Sequence, residues 1–505
     1  MSLINFDIVI IGSGMGGLVC ADILGREGYK VCVLEKNKQL GGCLQTYVRD
    51  KVIFDSGVHY LGGLGEGQNL YQVFKYLGIL DKLKLQKMDD DVFDKIIIEN
   101  DDKEYVYAQG YENFIQQLLK DFPAEEKALR QYCNKIKEVC SKFPLYNLRS
   151  GGDFNEKNTV LEINAKEYIE SVTSDKKLQA VLAGNNMLYV LQPDKTPFYV
   201  HAMILNSYIE SSWKCIDGGS VIAKLIAKNI REQGGIIHRN AEVRKIVVEE
   251  GKVSSVQLKD GTKLFGRNFI SNMHPVRTLE MTDTHLIKHA YRDRIQNLEN
   301  SIGGFLINIV FKKDTFKYHK NNFYYHKDGC IWDMTNHTEE NWPLGYALFF
   351  SASSRTVEYA ESLTVLAYMN YDEVKQWEKS FNTVSATEDR GPGYEEFKRH
   401  KAEILLDCVE EKFQGLRNCI KTYYTSTPLS YRDYIGNHDG TMYGFVKDNR
   451  NPLKSFISPR TKIPNLYLTG QNLNLHGILG AAMSGLVTCN AIMGNETIVD
   501  KIRNA

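Results

Sequence analysis

Residues 7–37 read DIVIIGSGMGGLVCADILGREGYKVCVLEKN. An apolar run, a glycine-rich turn, a helical period and a second apolar run ending in an acid spell a βαβ unit. The first strand is expected over 8–11. Gly12 permits the tight turn, Gly14 lets backbone approach a pyrophosphate, and Gly17 lets the following helix pack against the strand. The free N–H groups at the start of that helix are where phosphates are held. Glu35 closes the second strand and is placed to accept hydrogen bonds from an adenosine ribose, and its charge disfavours a 2′-phosphate there. Gly16 in the turn and Lys36 beside the acid complete the residues expected around a dinucleotide.

A glycine fingerprint alone is weak, but this one has context on both sides. After Glu35 the chain runs GGCLQTY over 41–47. Gly41 and Gly42 would let backbone pass close to the ribityl and diphosphate of FAD, and domains that bind only NAD usually lack such a second pair. Near the other end, 463–494 read IPNLYLTGQNLNLHGILGAAMSGLVTCNAIMG: a strand over 466–469, a polar turn, and a helix of small residues from Gly477. Gly470 and Asn472 are expected beside the ribityl chain. Backbone N–H groups at Gly477, Ile478 and Leu479 are expected at the flavin pyrimidine edge, where a helix N-terminus favours negative charge by about 0.3–1 kcal/mol.

With 505 residues, 43% apolar and 25% charged, the chain has room for two or three domains of an ordinary globular protein. Lys+Arg and Asp+Glu balance at 62 each, so no overall field recruits nucleic acid. The ten cysteines carry neither C-x-x-C nor zinc spacing and read as free thiols, with no metal site expected. Cys133 and Cys140 would share one buried helix face. The first strand follows directly on the N-terminus without a signal-like segment, and no window approaches 18 uninterrupted apolar residues; a cytoplasmic location with at most peripheral membrane contact is expected.

A third piece of the nucleotide fold lies over 215–275, ending ISNMHP. Gly218 and Gly219 open a helix, strands follow around Val243, Ile246 and Val248, and turns fall at Glu250-Gly251 and Asp260-Gly261. The FAD domain is therefore discontinuous, over 1–105, 214–290 and 431–505, with a substrate domain over 106–213 and 291–430. The first insert is largely helical. The second mixes strands (305–311, 346–351, 363–368) with a helix over 394–413, its sheet forming the floor of a chamber roofed by the first insert's helices. GEGQNL at Gly65 and GPGYEE at Gly391 lack a flanking strand and helix, so no second dinucleotide unit is expected.

The stretches FDSGVHYLGG (54–63), HAMILNSYIESSWKCIDGGS (201–220), ISNMHP and STPLSYRDYIGNHDGTMYGF (426–445) carry a resemblance along nearly the full chain to the phytoene desaturase, carotenoid isomerase and retinol saturase family of flavoproteins. The resemblance implies an α/β, glutathione reductase-like FAD-binding Rossmann fold in three segments with an inserted α+β substrate domain. It implies a flavin enzyme that moves hydride between flavin N5 and a double bond of a hydrophobic polyene or isoprenoid lipid. A reduced-flavin cis/trans isomerase and a flavin amine oxidase are the alternatives. At the Val243 position the backbone meets adenine in flavoproteins of this build. The retinol saturase branch usually has Asp after T-G-Q, where this chain has Asn472. His476, at the turn before the last helix, is the first proton-donor or flavin-tuning candidate. His59 is the second, and Tyr443, with Tyr434, His438 and Asp439, is placed to line the same cavity. A lipid entering from a bilayer implies a peripheral membrane face, for which 110–145 is the candidate. The electron donor or acceptor stays open.

Overall fold

The computed structural model describes residues 5–151, 154–355, 358–384, 386–495 and 497–505. Its first sheet has seven strands and carries the βαβ unit. Ile236–His238, Val31–Leu34, Asn5–Ile11, Lys263–Ser271 and Leu466–Leu468 run parallel in that spatial order. Parallel strands buried on both faces read as continuous apolar runs, and Ile8, Val9 and Ile10 are fully buried. Register aligns Ile11 with Leu34 and Ser271, and Ser271 with Leu468. The turn after Ile11, Glu35, Asn272 and the 469–472 turn therefore leave the sheet at one edge, where open α/β sheets bind ligands. An antiparallel meander, Val243–Glu249, Lys252–Leu258 and Lys263–Ser271, extends the sheet, with positive φ at Glu250, Gly251 and Gly261 in its turns.

The helix Met15–Arg26 packs on the helix Gly477–Met493. Small residues make this possible: a Cβ on Gly485 would lie 3.1 Å from the Gly16 carbonyl oxygen. Segments 15–26 and 477–493 thus share one layer.

The second sheet also has seven strands, in the order Ile420–Ser426, Gly303–Phe311, Ser362–Met369, Gly345–Phe350, Asn322–His326, Asp94–Ile98 and Glu104–Tyr107. Alternation sorts its side chains. Leu306, Phe349 and Leu366 pack with the helices of 106–213, whereas Phe305, Leu348 and Val365 pack under the helix Pro392–Lys412. The sheet-floor and helix-roof arrangement follows.

Three expectations change. The boundary at 105 falls inside the hairpin Asp94–Ile98/Glu104–Tyr107, which is hydrogen-bonded into the second sheet, so that sheet begins near residue 94. The Gly65 and Gly391 turns do precede helices, Asn69–Tyr76 and Pro392–Lys412; what each lacks is a preceding strand of a parallel sheet. The 110–145 stretch is not an apolar surface. Its helices Tyr111–Leu119 and Glu126–Ser141 bury Phe114, Leu118, Leu129, Ile136 and both Cys133 and Cys140, and face water with Glu112, Glu126 and Arg130, joined as ion pairs.

Candidate functional site

At the aligned strand edge one cavity of about 1190 Å³ runs from the glycine turn into the substrate domain. Gly12, Gly14, Gly16, Glu35, Lys36, Gly41, Gly42 and Val243 line its nucleotide end. Gly17 does not; a Cβ there would stand 2.2 Å from the Gly12 carbonyl oxygen, so its work is to close the turn. The two glycine pairs meet: Gly14 bridges Gly41 in parallel, and a Cβ on Gly42 would lie 3.1 Å from Gly14 Cα. Gly41 has φ +117°, which a side chain rarely adopts.

Glu35 is buried and anchored from within. Ser13 donates to its Oε2 from both N (3.1 Å) and Oγ (2.6 Å), and Asn37 N donates to Oε1 (2.8 Å). These bonds orient the carboxylate and leave further lone pairs for a diol. Lys36 Nζ donates to the Asp433 carbonyl (2.8 Å), and burial lowers its pKa. Asn272 was quoted in the sequence only as part of a motif, yet its side chain fills the floor of the turn. With its amide oriented to satisfy its neighbours, Oδ1 accepts from Gly14 N (3.1 Å) and Gly17 N (3.3 Å). No local signal marks that role.

Gly470, Asn472, Gly477, Ile478 and Leu479 line the middle of the same cavity. Gly470 N donates to Ser484 Oγ (2.9 Å). Asn472 Oδ1 accepts from Phe445 N (3.0 Å), tying the motif at 441–445 to the final turn. The helix Gly477–Met493 starts at His476 with no side-chain cap, so its first N–H groups open on the cavity.

His476 and Tyr443 come together, with ring centroids 4.4 Å apart. His476 Nε2 donates to the Leu188 carbonyl (2.9 Å), and the Tyr443 hydroxyl donates to the Met187 carbonyl (3.0 Å). Burial pushes His476 down to about 4. At neutral pH it is an uncharged imidazole whose N–H is already engaged. His59 lies elsewhere on the wall, stacked on Phe349 at 4.4 Å and 6°. Burial, with Lys214 nearby, lowers it to about 4. Among the sequence candidates Tyr434 also lines the cavity, whereas His438 and Asp439 pair with each other (2.8 Å) outside it.

Beyond these residues the cavity is walled by Phe349 and Leu366 from the sheet, Ile204 and Tyr208 from the helix Phe198–Glu210, and Met187 and Met442. Acidic residues on its wall, among them Glu35, Glu242, Asp433 and Glu388, lie on segments at the nucleotide end or mouth. The substrate end is apolar and aromatic.

The residues present fit FAD. Two helix starts whose N-cap residues, Gly14 and His476, supply no side-chain cap open on one continuous space, which suits a diphosphate at one and an anionic ring edge at the other. His274 lines it with a buried Nδ1 that has no partner in the protein. Gly477, at φ +77°, has nothing within 4 Å of a Cβ position.

A family model described as flavin containing amine oxidoreductase matches residues 15–493. Among curated proteins, the chain is 27% identical to all-trans-retinol 13,14-reductase of Homo sapiens, over 98% of this chain and 87% of that protein. It is 25% identical to a chloroplastic prolycopene isomerase of Daucus carota, over 98% of this chain and 81% of that protein. Among solved structures, an oxidoreductase from Methanosarcina mazei aligns with a TM-score of 0.63 at 17% identity, covering 97% of this chain and 100% of that one; at that identity the likeness is one of fold.

Proposed function

This chain belongs to the family of flavin containing amine oxidoreductases, as an FAD-dependent oxidoreductase, and we propose that its substrate is a long, hydrophobic polyene or isoprenoid lipid whose carbon–carbon double bond it reduces. The observation that carries this reading is the single cavity that joins a diphosphate-accepting glycine turn to an apolar, aromatic chamber. The full-length similarity to a retinol reductase supports it.

Gly12, Gly14, Gly16 and Glu35 would hold the adenosine diphosphate, Val243 the adenine, and Gly470, Asn472 and the helix start at Gly477 the flavin. FAD, when bound, supplies hydride donation and acceptance. The chain's own contribution is placement: Phe349 and Tyr208 would clamp a flat conjugated chain between sheet and helix, and the dry wall excludes water from the reacting carbons. A peripheral membrane contact for loading the lipid remains part of this proposal; no described helix is long and apolar enough to cross a bilayer.

The relation to prolycopene isomerases favours a second reading, a redox-neutral isomerisation on reduced flavin. Anaerobic incubation of flavin-loaded protein, chemically reduced, with all-trans polyene alcohols and poly-cis carotenes separates them. A product heavier by two hydrogens, with one donor equivalent consumed per turnover, is expected. An isomer of unchanged mass selects the second reading, and peroxide release from amines by the oxidised protein in air, with no change in any polyene in the anaerobic incubation, overturns both.

A further inference from the structure

Behind the chamber wall lies a polar cluster that the cofactor site does not use. Asp94, at the start of the sheet strand Asp94–Ile98, is fully buried. The Tyr60 hydroxyl donates to its Oδ2 (2.9 Å), Asn322 Nδ2 donates to its Oδ1 (2.9 Å), and Tyr60 and Tyr324 share a hydroxyl–hydroxyl bond (2.8 Å). Of these four residues only Tyr60 lines the cavity, where Tyr208 stacks on it at 4.3 Å. Asn185, also buried, lies beside Asp94 as a further side-chain hydrogen-bond partner, and Asn322 Oδ1 is buried without a partner.

We propose that Tyr60 is the proton donor to the substrate carbon, with the Asp94 carboxyl behind it as its proton store. This rests on the reading of the protein as a polyene reductase. When Asp94 is protonated the sense of the Tyr60–Asp94 bond reverses, Asp94 donating and the Tyr60 hydroxyl proton being released to the cavity side. One carbon of the double bond receives hydride, with its electron pair, from the reduced flavin; the neighbouring carbon takes the proton of the Tyr60 hydroxyl. As that O–H bond breaks, the Asp94 carboxyl passes its own proton to Tyr60, and the resulting carboxylate takes up a proton from solvent before the next turnover. The double bond is reduced by two electrons and the flavin oxidised by two.

The electrostatics agree. Burial pushes Asp94 up to about 7, against the lowering influence of its Asn322 and Tyr60 hydrogen bonds and of Lys214. The groups facing it are Tyr60, Tyr208 and Tyr324, all raised by burial, and Lys214, which burial lowers to about 7 and whose Nζ donates to the Phe350 carbonyl (2.9 Å). The histidines on the wall are neutral and leave the acid's role to this cluster.

The test uses flavin-loaded full-length protein and two readouts. In infrared pH-difference spectra, wild type is expected to show buried carboxylic acid absorption, from Asp55 and Asp94, that disappears as pH rises through neutrality, and D94N is expected to lose the Asp94 part of it. Identical carboxylic acid absorption in wild type and D94N at pH 5 overturns the store. In single turnovers with reduced flavin and an all-trans polyene in D₂O, Y60F is expected to keep the flavin spectrum and the spectral change on substrate binding while product formation falls by about a hundredfold. D94N is expected to lose the wild-type decline in rate above neutral pH. Wild-type rates in Y60F overturn the donor. If wild type reduces no polyene, the functional reading is lost, and the infrared result alone decides for or against the store.

Discussion

Gly16 and Gly470, near opposite ends of the chain, stand backbone to backbone: a Cβ on Gly16 would lie 3.1 Å from Gly470 Cα. Gly470 itself has φ +106°, and a Cβ there would meet the Asn272 side-chain amide at 2.7 Å. Gly470→Ala is therefore expected to destabilise the fold by about 1–3 kcal/mol and to empty the site. Urea unfolding and the ratio of flavin to protein absorbance measure the two effects.

Glu35 holds the turn through Ser13 and is proposed to accept from the ribose. Glu35→Ala removes both, and loss of hydrogen bonds to a charged acceptor of this kind costs about 1.5–3 kcal/mol, which is roughly ten- to a hundredfold in FAD affinity. Glu35→Gln, which keeps acceptor oxygen, is expected to lose less. Recovery of flavin fluorescence on dilution reports the release.

Asn472 binds Phe445 N through Oδ1. Asn472→Asp keeps that acceptor and is expected to retain flavin. Asn472→Ala strands a buried N–H at a cost of about 1–3 kcal/mol and frees the 441–445 loop, which limited proteolysis will detect. The Asp that the retinol saturase resemblance leads one to expect is thus replaced by a residue that serves the same bond.

Stability is expected to fall with acidification. His59, His326 and His476 are lowered to about 4, and His201 and His274 to about 3, by burial. Below about 6.5 the unfolded chain takes up these protons and the folded chain does not, so their contribution is present above that pH and lost as pH falls towards 4. Asp55 and Asp94, raised to about 7, act in the opposite sense over the same window, since there the folded state holds the proton. The histidines are more numerous, so the thermal midpoint should drop from pH 6.5 to pH 4, and more steeply in D94N.

Much of this was readable in the residues because the informative signals were local. The turn glycines, the acid closing the second strand, and the strand–turn–helix at 466–493 each carry their geometry in their own spacing. Other features depend on partners that spacing does not name. Nothing in the run over 94–107 says which sheet it joins, and the edge expected at 105 falls inside a hairpin of the second sheet. His476 looks like a free acid beside a helix start until the Leu188 carbonyl is seen accepting its N–H. Tyr60 and Asp94 meet Tyr324 and Asn322 only through strand pairing, and the apolar faces of 111–119 and 126–141 are indistinguishable from a lipid-facing surface until the core covers them.

The docking of the Gly477–Met493 helix on Met15–Arg26 sets a condition on biosynthesis. While the ribosome is still adding the last tens of residues, the nascent chain's opening helix has no mate, and Val19 and Cys20 sit bare. That pairing must wait until residues 477–493 have left the ribosome. A variant without the Gly477–Met493 helix will therefore leave an early-made segment sticky, a client for chaperones.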